Sequence, residues 1–320
     1  MTVPVLYIVI PCYNEEEALP ITAKRLTELT DDMIRREIIA PASRILLVDD
    51  GSKDRTWQVI SSLHAADRRF EGVKLAHNAG HMNALWAGMT MAEPKCDCVI
   101  TIDADLQDDV EAMYGFLEHY RNGADVVSGV RSSREKDTFF KRTTAQGFYR
   151  LMNRLGVEMV YNHADYRLLS KRALQALLSF GEVNMFLRGM VPMLGFRTAT
   201  VEYERGERVA GESKYPLKKM LSFAFDGITS FSVKPMRLIL VLGAVIFVLS
   251  LVVLLWTLIA RVSGRTVSGW TSLMCSIWMI GGIQLLSLGV IGEYIGKIYA
   301  ETKARPRFII ERVLDDADEE

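Results

Sequence analysis

The stretch Val99–Asp109, VITIDADLQDD, sets four carboxylates directly behind an apolar run. A strand that ends in clustered acids loses stability through mutual repulsion, so something held at that point must offset it. Asp103 and Asp105 stand two residues apart, and a bend at Ala104 would turn both toward one ligand. With the amide oxygen of Gln107 nearby they form a set of hard oxygen donors suited to Mg²⁺ or Mn²⁺. Asp108 and Asp109 read instead as the start of the next helix, where the helix dipole favours negative charge.

The same arrangement recurs upstream. VLYIVI, RILLVDD, GVKLA, DCVITID and ADVVSG are continuous apolar runs, which suit parallel strands covered on both faces. Between them Glu15–Leu29, Thr56–Asp67, Gly80–Met91 and Asp109–Asn122 carry helical periodicity. Alternating strands and helices predict a doubly wound α/β domain with a mostly parallel sheet. Ligands bind such sheets beyond the carboxyl ends of the strands. The polar turns fall there: PCYNEE, DDGSKD, HNAGH and DADLQDD. Asp49 and Asp50 could accept hydrogen bonds from a base or ribose, while Ser52 and Asp54 have the chemistry of helix caps. Neither G-x-G-x-x-G nor a Walker A motif is present, which disfavours dinucleotide and P-loop readings.

The 320 residues carry a formal net charge of −1 and are 49% hydrophobic. Near-neutrality argues against a nucleic-acid partner. The apolar residues are concentrated late: Leu238–Ala260 and Thr266–Gly292 are both uncharged, and each exceeds the ~20 residues that a helix needs to cross a bilayer. Trp256 and Trp270 flank a connection holding only Arg261 and Arg265. Lys218, Lys219, Lys234 and Arg237 lie on one outer flank, and Lys297, Lys303, Arg305 and Arg307 on the other. The positive-inside rule then places both termini in the cytoplasm of an inner-membrane protein with two spans. Residues 216–235, with lysines and phenylalanines interspersed, read as an amphipathic segment on the bilayer surface. The expected organisation is a catalytic domain over 1–215, this interface segment, spans over 236–260 and 266–296, and a C-terminal tail over 297–320. The start, MTVPVLYIVIPCYN, lacks a basic n-region and reads as a first strand rather than a signal peptide. Cys12, Cys96, Cys98 and Cys275 match no zinc spacing and read as reduced structural residues. Small residues in MIGGIQLLSLGVIGEYIG suit helix packing and a homo-oligomer.

Taken in order, IVIPCYNEEE, LLVDDGSKDRT, HNAGHMNAL, IDADLQDD, DYRLLSKRAL, GESKYPLKKM and LLSLGVIGEYIGKIYAE resemble the family-2 glycosyltransferases that act on polyprenyl phosphates. These include the bactoprenol glucosyltransferase and dolichyl-phosphate mannose synthase types. The resemblance implies a GT-A, Rossmann-like catalytic domain. It implies a nucleotide sugar (UDP-glucose first among donors), an undecaprenyl-type lipid phosphate acceptor and a divalent cation. It further implies a flippase or a glycosyltransferase on the far membrane face as the downstream partner. By the same resemblance, Pro11, Tyr13, Glu15, Asp49 and Asp50 cradle the nucleoside, and Asp103, Ala104 and Lys214 serve the sugar diphosphate. Asp103, Asp105 and Gln107 match the metal motif. Arg131 and Arg142 match arginines presented to the lipid phosphate. Asp165 and Arg167 match an acidic-arginine motif near the acceptor, and Ser213 and Lys214 a late closing loop. Asp105, Asp165 and Arg131 are the expected catalytic set. Two positions depart from the family pattern: Asp109 replaces a usual proline, and HADYR lacks the usual glycine before the acid.

An acceptor phosphate, with a second pKa of about 6, is largely dianionic at neutral pH and needs no strong base. The reading is therefore inverting single displacement at the anomeric carbon. A processive polysaccharide synthase would want more spans and a Q-x-x-R-W motif, whereas NMFLRGM has no tryptophan beside Arg188. An inactive membrane-tethered scaffold would not need the acids that are all present here.

Overall fold

In the computed structural model the described residues are 3–131, 163–182, 187–204 and 269–315, with isolated helical positions between 236 and 256. The chain divides into two compact units, one built on a sheet and one containing a long helix.

The sheet unit starts with β1 (Leu6–Cys12), every residue of which is buried, and β2 (Arg44–Asp49). It continues through β3 (Phe70–Leu75) and β4 (Cys98–Thr101). The connecting helices are α1 (Leu19–Arg35), α2 (Thr56–Ala66), α3 (His81–Ala92) and α4 (Ala112–Arg121). Then come β5 (Val126–Arg131), β6 (His163–Ser170), α5 (Lys171–Leu178), α6 (Leu187–Met193) and β7 (Thr198–Tyr203). The strand order is β7-β5-β6-β4-β1-β2-β3-β8, where β8 is Ile310–Leu314. β1 pairs in parallel with both β2 and β4, so the chain winds outward in both directions from β1. The crevice between those two paths is where such sheets bind ligands.

Period-two alternation divides the sheet's faces. Leu6, Ile8 and Ile10 join Leu19, Leu26, Leu29 and Met33 of α1 in one core cluster. The opposite face meets α3 so closely that a Cβ on Gly88 would lie 2.4 Å from Val9 and 2.8 Å from Val48. Cys12, Cys96 and Cys98 are free and buried, as expected of reduced structural cysteines.

Three differences from the sequence reading stand out. α1 begins at Leu19 rather than Glu15, because residues 14–16 bond to the next loop instead. β6, which is not among the strands expected from the apolar runs, inserts antiparallel between β4 and β5. Ile310–Leu314, within the segment read as a tail, pairs antiparallel with β3 and covers its edge. Lys74 and Glu311 bridge this pair at 3.0 Å, and the guanidinium of Arg307 lies 4.4 Å over the Trp86 ring.

In the second unit α7 (Trp270–Lys303) includes Met279–Lys303, which contains an 18-residue window of mean hydropathy 1.4 and exposes Leu285, Leu288, Ile295 and Ile298. Among the described residues it is the one helix long and apolar enough to cross a membrane. Residues 205–235 and most of the first expected span lie outside the described residues.

Two stability predictions follow from the sheet edges. Ending the chain at Ala304 returns Val313 and Leu314 to water and uncovers β3, which costs roughly 2 kcal/mol or more; the thermal unfolding midpoint should fall by several degrees. At the other end Asp125 accepts hydrogen bonds from both Arg172 and Ser170. The Arg172 hydrogen bond holds its carboxyl below the ordinary value, against the opposing effect of burial. A depressed folded pKa contributes stability above the unfolded value near 3.9, lost as pH falls through the folded value. Arg172→Ala should therefore be destabilised relative to the parent at pH 7, with the gap closing in acid unfolding as the pH falls below the unfolded carboxylate value near 3.9.

Candidate functional site

β1 and β2 end together, with Cys12 opposite Asp49, and β4 leaves the sheet on the same edge at Thr101, opposite Val9. Their exits are stitched into one rim. Asn14 takes a left-handed backbone (φ 55°), donates its N–H to Ser52 Oγ at 3.0 Å and accepts from Lys53 N at 2.9 Å. Asp54 accepts from Glu16 N through one oxygen and from Thr56 N and Oγ1 through the other. Asp54 and Ser52 thus brace two loops against each other, beyond the helix-capping role expected of them.

Asp50 performs the same service for the third loop. Its two oxygens accept from Ala79 N at 2.7 Å and Gly80 N at 3.0 Å. Burial, helped by the neighbouring Asp49, raises its pKa despite those donors. Asp49 is fully buried; Oδ1 accepts from Ser52 N, while Oδ2 has no protein partner. Gly51 allows the close approach of the two loops. Its φ is +66°, and a Cβ there would lie 2.5 Å from Asn78 N.

These loops enclose a cavity of about 300 Å³. Pro11, Tyr13, Glu15, Asp50, Asp103, Ala104 and Asp105, all expected from the sequence, line it. So do Asn78, Gly80 and His81 of the HNAGH turn, which the sequence reading placed on this edge without giving them a role. Asp49 and Gln107 do not line it, although Gln107 N donates to Asp105 Oδ1 at 3.2 Å. His81 Nε2 is 3.6 Å from Asp103 Oδ1. Desolvation, with added repulsion from Asp165, Asp108 and Asp105, pushes the Asp103 carboxyl up to about 6 against the attraction of His81.

Asp165 enters from β6, its backbone oxygen accepting from Thr101 Oγ1 at 2.6 Å. Arg167 donates to the Asp165 carboxylate at 2.9 Å and is 2% exposed. In this structure the Arg167 guanidinium is turned to Asp165 rather than to solvent. Arg131 is likewise engaged, lying 3.2 Å from Asp108 Oδ1. Asp108 is 3% exposed and accepts from Tyr203 Oη at 2.6 Å. It therefore does not sit on a solvated helix start as expected, and α4 begins only at Ala112. Asp109 comes closer to that expectation, its Oδ1 accepting from Glu111 N at 3.0 Å. Arg142, Ser213 and Lys214 lie outside the described residues.

Among the described residues no three His, Cys, Asp or Glu side chains converge as a complete metal site. Asp103 and Asp105 offer two carboxylates, the number that magnesium commonly takes from protein while substrate oxygens and water fill the rest. Two carboxylates on one cavity wall, one of them shifted up mainly by desolvation and then by its acidic neighbours, make a donor set that fits a divalent ion completed by its substrate.

A twisted α/β sheet with acidic loops gathered at its carboxyl edge defines a domain of the GT-A type. The family model for glycosyl transferase family 2 matches residues 7–178, the model for the GtrB C-terminal hairpin matches 234–298, and the chain belongs to glycosyl transferase family 2. The uncharacterized glycosyltransferase YkoT of Bacillus subtilis (strain 168) is 55% identical over 308 residues, covering 96% of this chain and 91% of that protein. The prophage bactoprenol glucosyl transferase homolog of Escherichia coli (strain K12) is 38% identical, covering 96% and 98%. The bactoprenol glucosyl transferase of Shigella phage SfII is also 38% identical, covering 95% and 97%.

Gly51→Ala tests the rim. The strained φ and the clash with Asn78 should cost about 1–3 kcal/mol in denaturant unfolding. Amide exchange at Ala79 and Gly80 should quicken as their bonds to Asp50 loosen.

Proposed function

We propose that this glycosyltransferase moves a hexose, with UDP-glucose as first candidate, onto a polyprenyl phosphate with inversion at the anomeric carbon. The observation that carries the reading is that Asp103 and Asp105 line one cavity with Asp50, Asn78 and Tyr13 at the carboxyl edge of the sheet. The polyprenol acceptor is supported by the bactoprenol glucosyl transferases that align along nearly the whole chain.

In this reading Tyr13 and Asp50 hold the nucleoside, the buried Asp49 supports their loop through Ser52 N, and Asp103 and Asp105 would hold Mg²⁺ or Mn²⁺. The cation, when bound, supplies Lewis-acid stabilisation of the departing diphosphate. Asp165, fixed by Arg167, orients the acceptor. The acceptor phosphate is already largely dianionic, so the site needs placement and charge complementarity more than a strong base. Arg142, Ser213 and Lys214 supply positive charge and hydrogen bonds to the two phosphates, as the resemblance implies. The same reading places two spans, over 236–260 and 266–296, in the inner membrane, with 216–235 on the bilayer surface and both termini in the cytoplasm. The hairpin match over 234–298 and the apolar surface of α7 support it. A prenyl chain leaves the bilayer at about 0.8 kcal/mol per CH₂, so a site served by such a lipid works at the headgroup level. The product is a membrane-bound sugar donor for a flippase or a glycosyltransferase across the membrane.

The test is a panel of labelled nucleotide sugars incubated with polyprenyl phosphate and the membrane-bound enzyme, with and without chelator. UDP-glucose should label the lipid, chelation should stop transfer, and Asp105→Asn should lower the rate by about 10²-fold or more. Transfer that survives complete metal removal overturns the cation assignment.

A further inference from the structure

The loop between β4 and α4 carries the two cavity-facing acids and contains a residue in an unfavourable conformation. Leu106, directly after Asp105, has φ 52°. A left-handed backbone costs an L-residue other than Gly, Asn or Asp roughly 1–2 kcal/mol, so the surroundings must impose it. On the near side Thr22 Oγ1 donates to Ala104 O at 2.7 Å. On the far side Tyr203 Oη donates to Asp108 Oδ1 at 2.6 Å, and Arg131 Nη2 lies 3.2 Å from the same oxygen. Arg131 Nε also donates to Tyr203 Oη at 3.4 Å, which closes a three-membered network. One residue on, Tyr166 Oη donates to Asp109 O at 3.0 Å.

The network is buried: Asp108 is 3% and Tyr203 4% exposed. The Tyr203 ring meets Tyr166 edge-on at 5.4 Å, and Tyr166 lies 4.6 Å from Phe116. A carboxylate against such an aromatic wall is costly unless it is paired and hydrogen-bonded, which fixes Asp108 on its two partners. Those partners come from the ends of β5 and β7, far from the loop in sequence, so the loop's shape is set by the sheet rather than by its own residues.

We propose that Asp108, Tyr203 and Arg131 form a clamp that holds Leu106 in its left-handed backbone and keeps Asp103 and Asp105 directed at a divalent cation in the cavity. Asp108 and Tyr203 are positioning residues, and the assignment gives Arg131 this task beside the phosphate contact expected from the resemblance. The proposal rests on the reading of the cavity as a cation-assisted nucleotide-sugar site.

Mn²⁺ binding to the full-length enzyme in nanodiscs, with UDP present, is followed by the loss of the free-ion electron paramagnetic resonance signal. Tyr203→Phe keeps the ring and removes the hydroxyl, and Asp108→Asn keeps the shape and removes the charge. Each should weaken Mn²⁺ binding and lower kcat by about tenfold, with the unfolding midpoint moved by no more than about 2 °C. The double variant should lose little beyond the worse single, because both act through one hydrogen bond. Unchanged Mn²⁺ affinity and kcat in Tyr203→Phe overturn the clamp. So does a fallen unfolding midpoint with Mn²⁺ affinity intact, which would mark a packing role alone. A parent enzyme that binds no Mn²⁺ with UDP removes the underlying reading, and the clamp with it, so the two failures are distinguishable.

Discussion

The parallel register of β1 against β2 and β4 is the constraint on which the site depends. Because Cys12 pairs with Asp49 and Val9 with Thr101, the three strands run the same way side by side, and their polar exits are delivered to one edge of the sheet. Burial of all three strands stabilises the sheet strongly enough to carry acids at their ends that repel one another. The rim is then tightened by side chains accepting from the backbone of a neighbouring loop, as Asp50 does for Ala79 and Gly80. Such charge-assisted bonds are stronger than neutral ones, and here they lock loops rather than helices.

Much of this was legible in local sequence. The apolar runs announce β1 to β5, because a strand covered on both faces needs no partner-specific code. The four polar turns fall at strand ends by simple alternation. Helix starts were less legible. Glu15 and Glu16 look like the beginning of α1, yet their backbone donors go to Thr56 and Asp54 on the next loop. β6 and β8 escaped for a different reason. HADYRLLS alternates charge with apolar residues and reads as a motif; its strand character exists only between β4 and β5. IERVL is short, follows a long apolar helix, and becomes a strand by covering the edge of β3.

The acids divide along the same line. Asp103 and Asp105 were identifiable because their geometry needs only a bend at Ala104. Asp108 was misread because a carboxylate near a helix start has a generic local explanation, whereas its partner Tyr203 lies 95 residues away. Arg167 is an intermediate case. Residues two apart on a strand share a face, so Asp165 and Arg167 were bound to meet. What the sequence did not convey was that both would be packed away from solvent, with the guanidinium turned to its own neighbour.

The charge balance of the cavity gives this arrangement chemical meaning. Among the described residues that line it, Glu15, Asp50, Asp103 and Asp105 are acidic, and His81 is the basic group. An anionic diphosphate brought to about 4 Å from one such carboxylate meets ~4 kcal/mol of repulsion at an effective dielectric of 20. On the proposed reading, a diphosphate held among these acids calls for a cation. A cation would answer the desolvation and crowding of charge that raise the Asp103 carboxyl. The clustered acids then serve as a holder whose charge is balanced only when the substrate's own cation is in place.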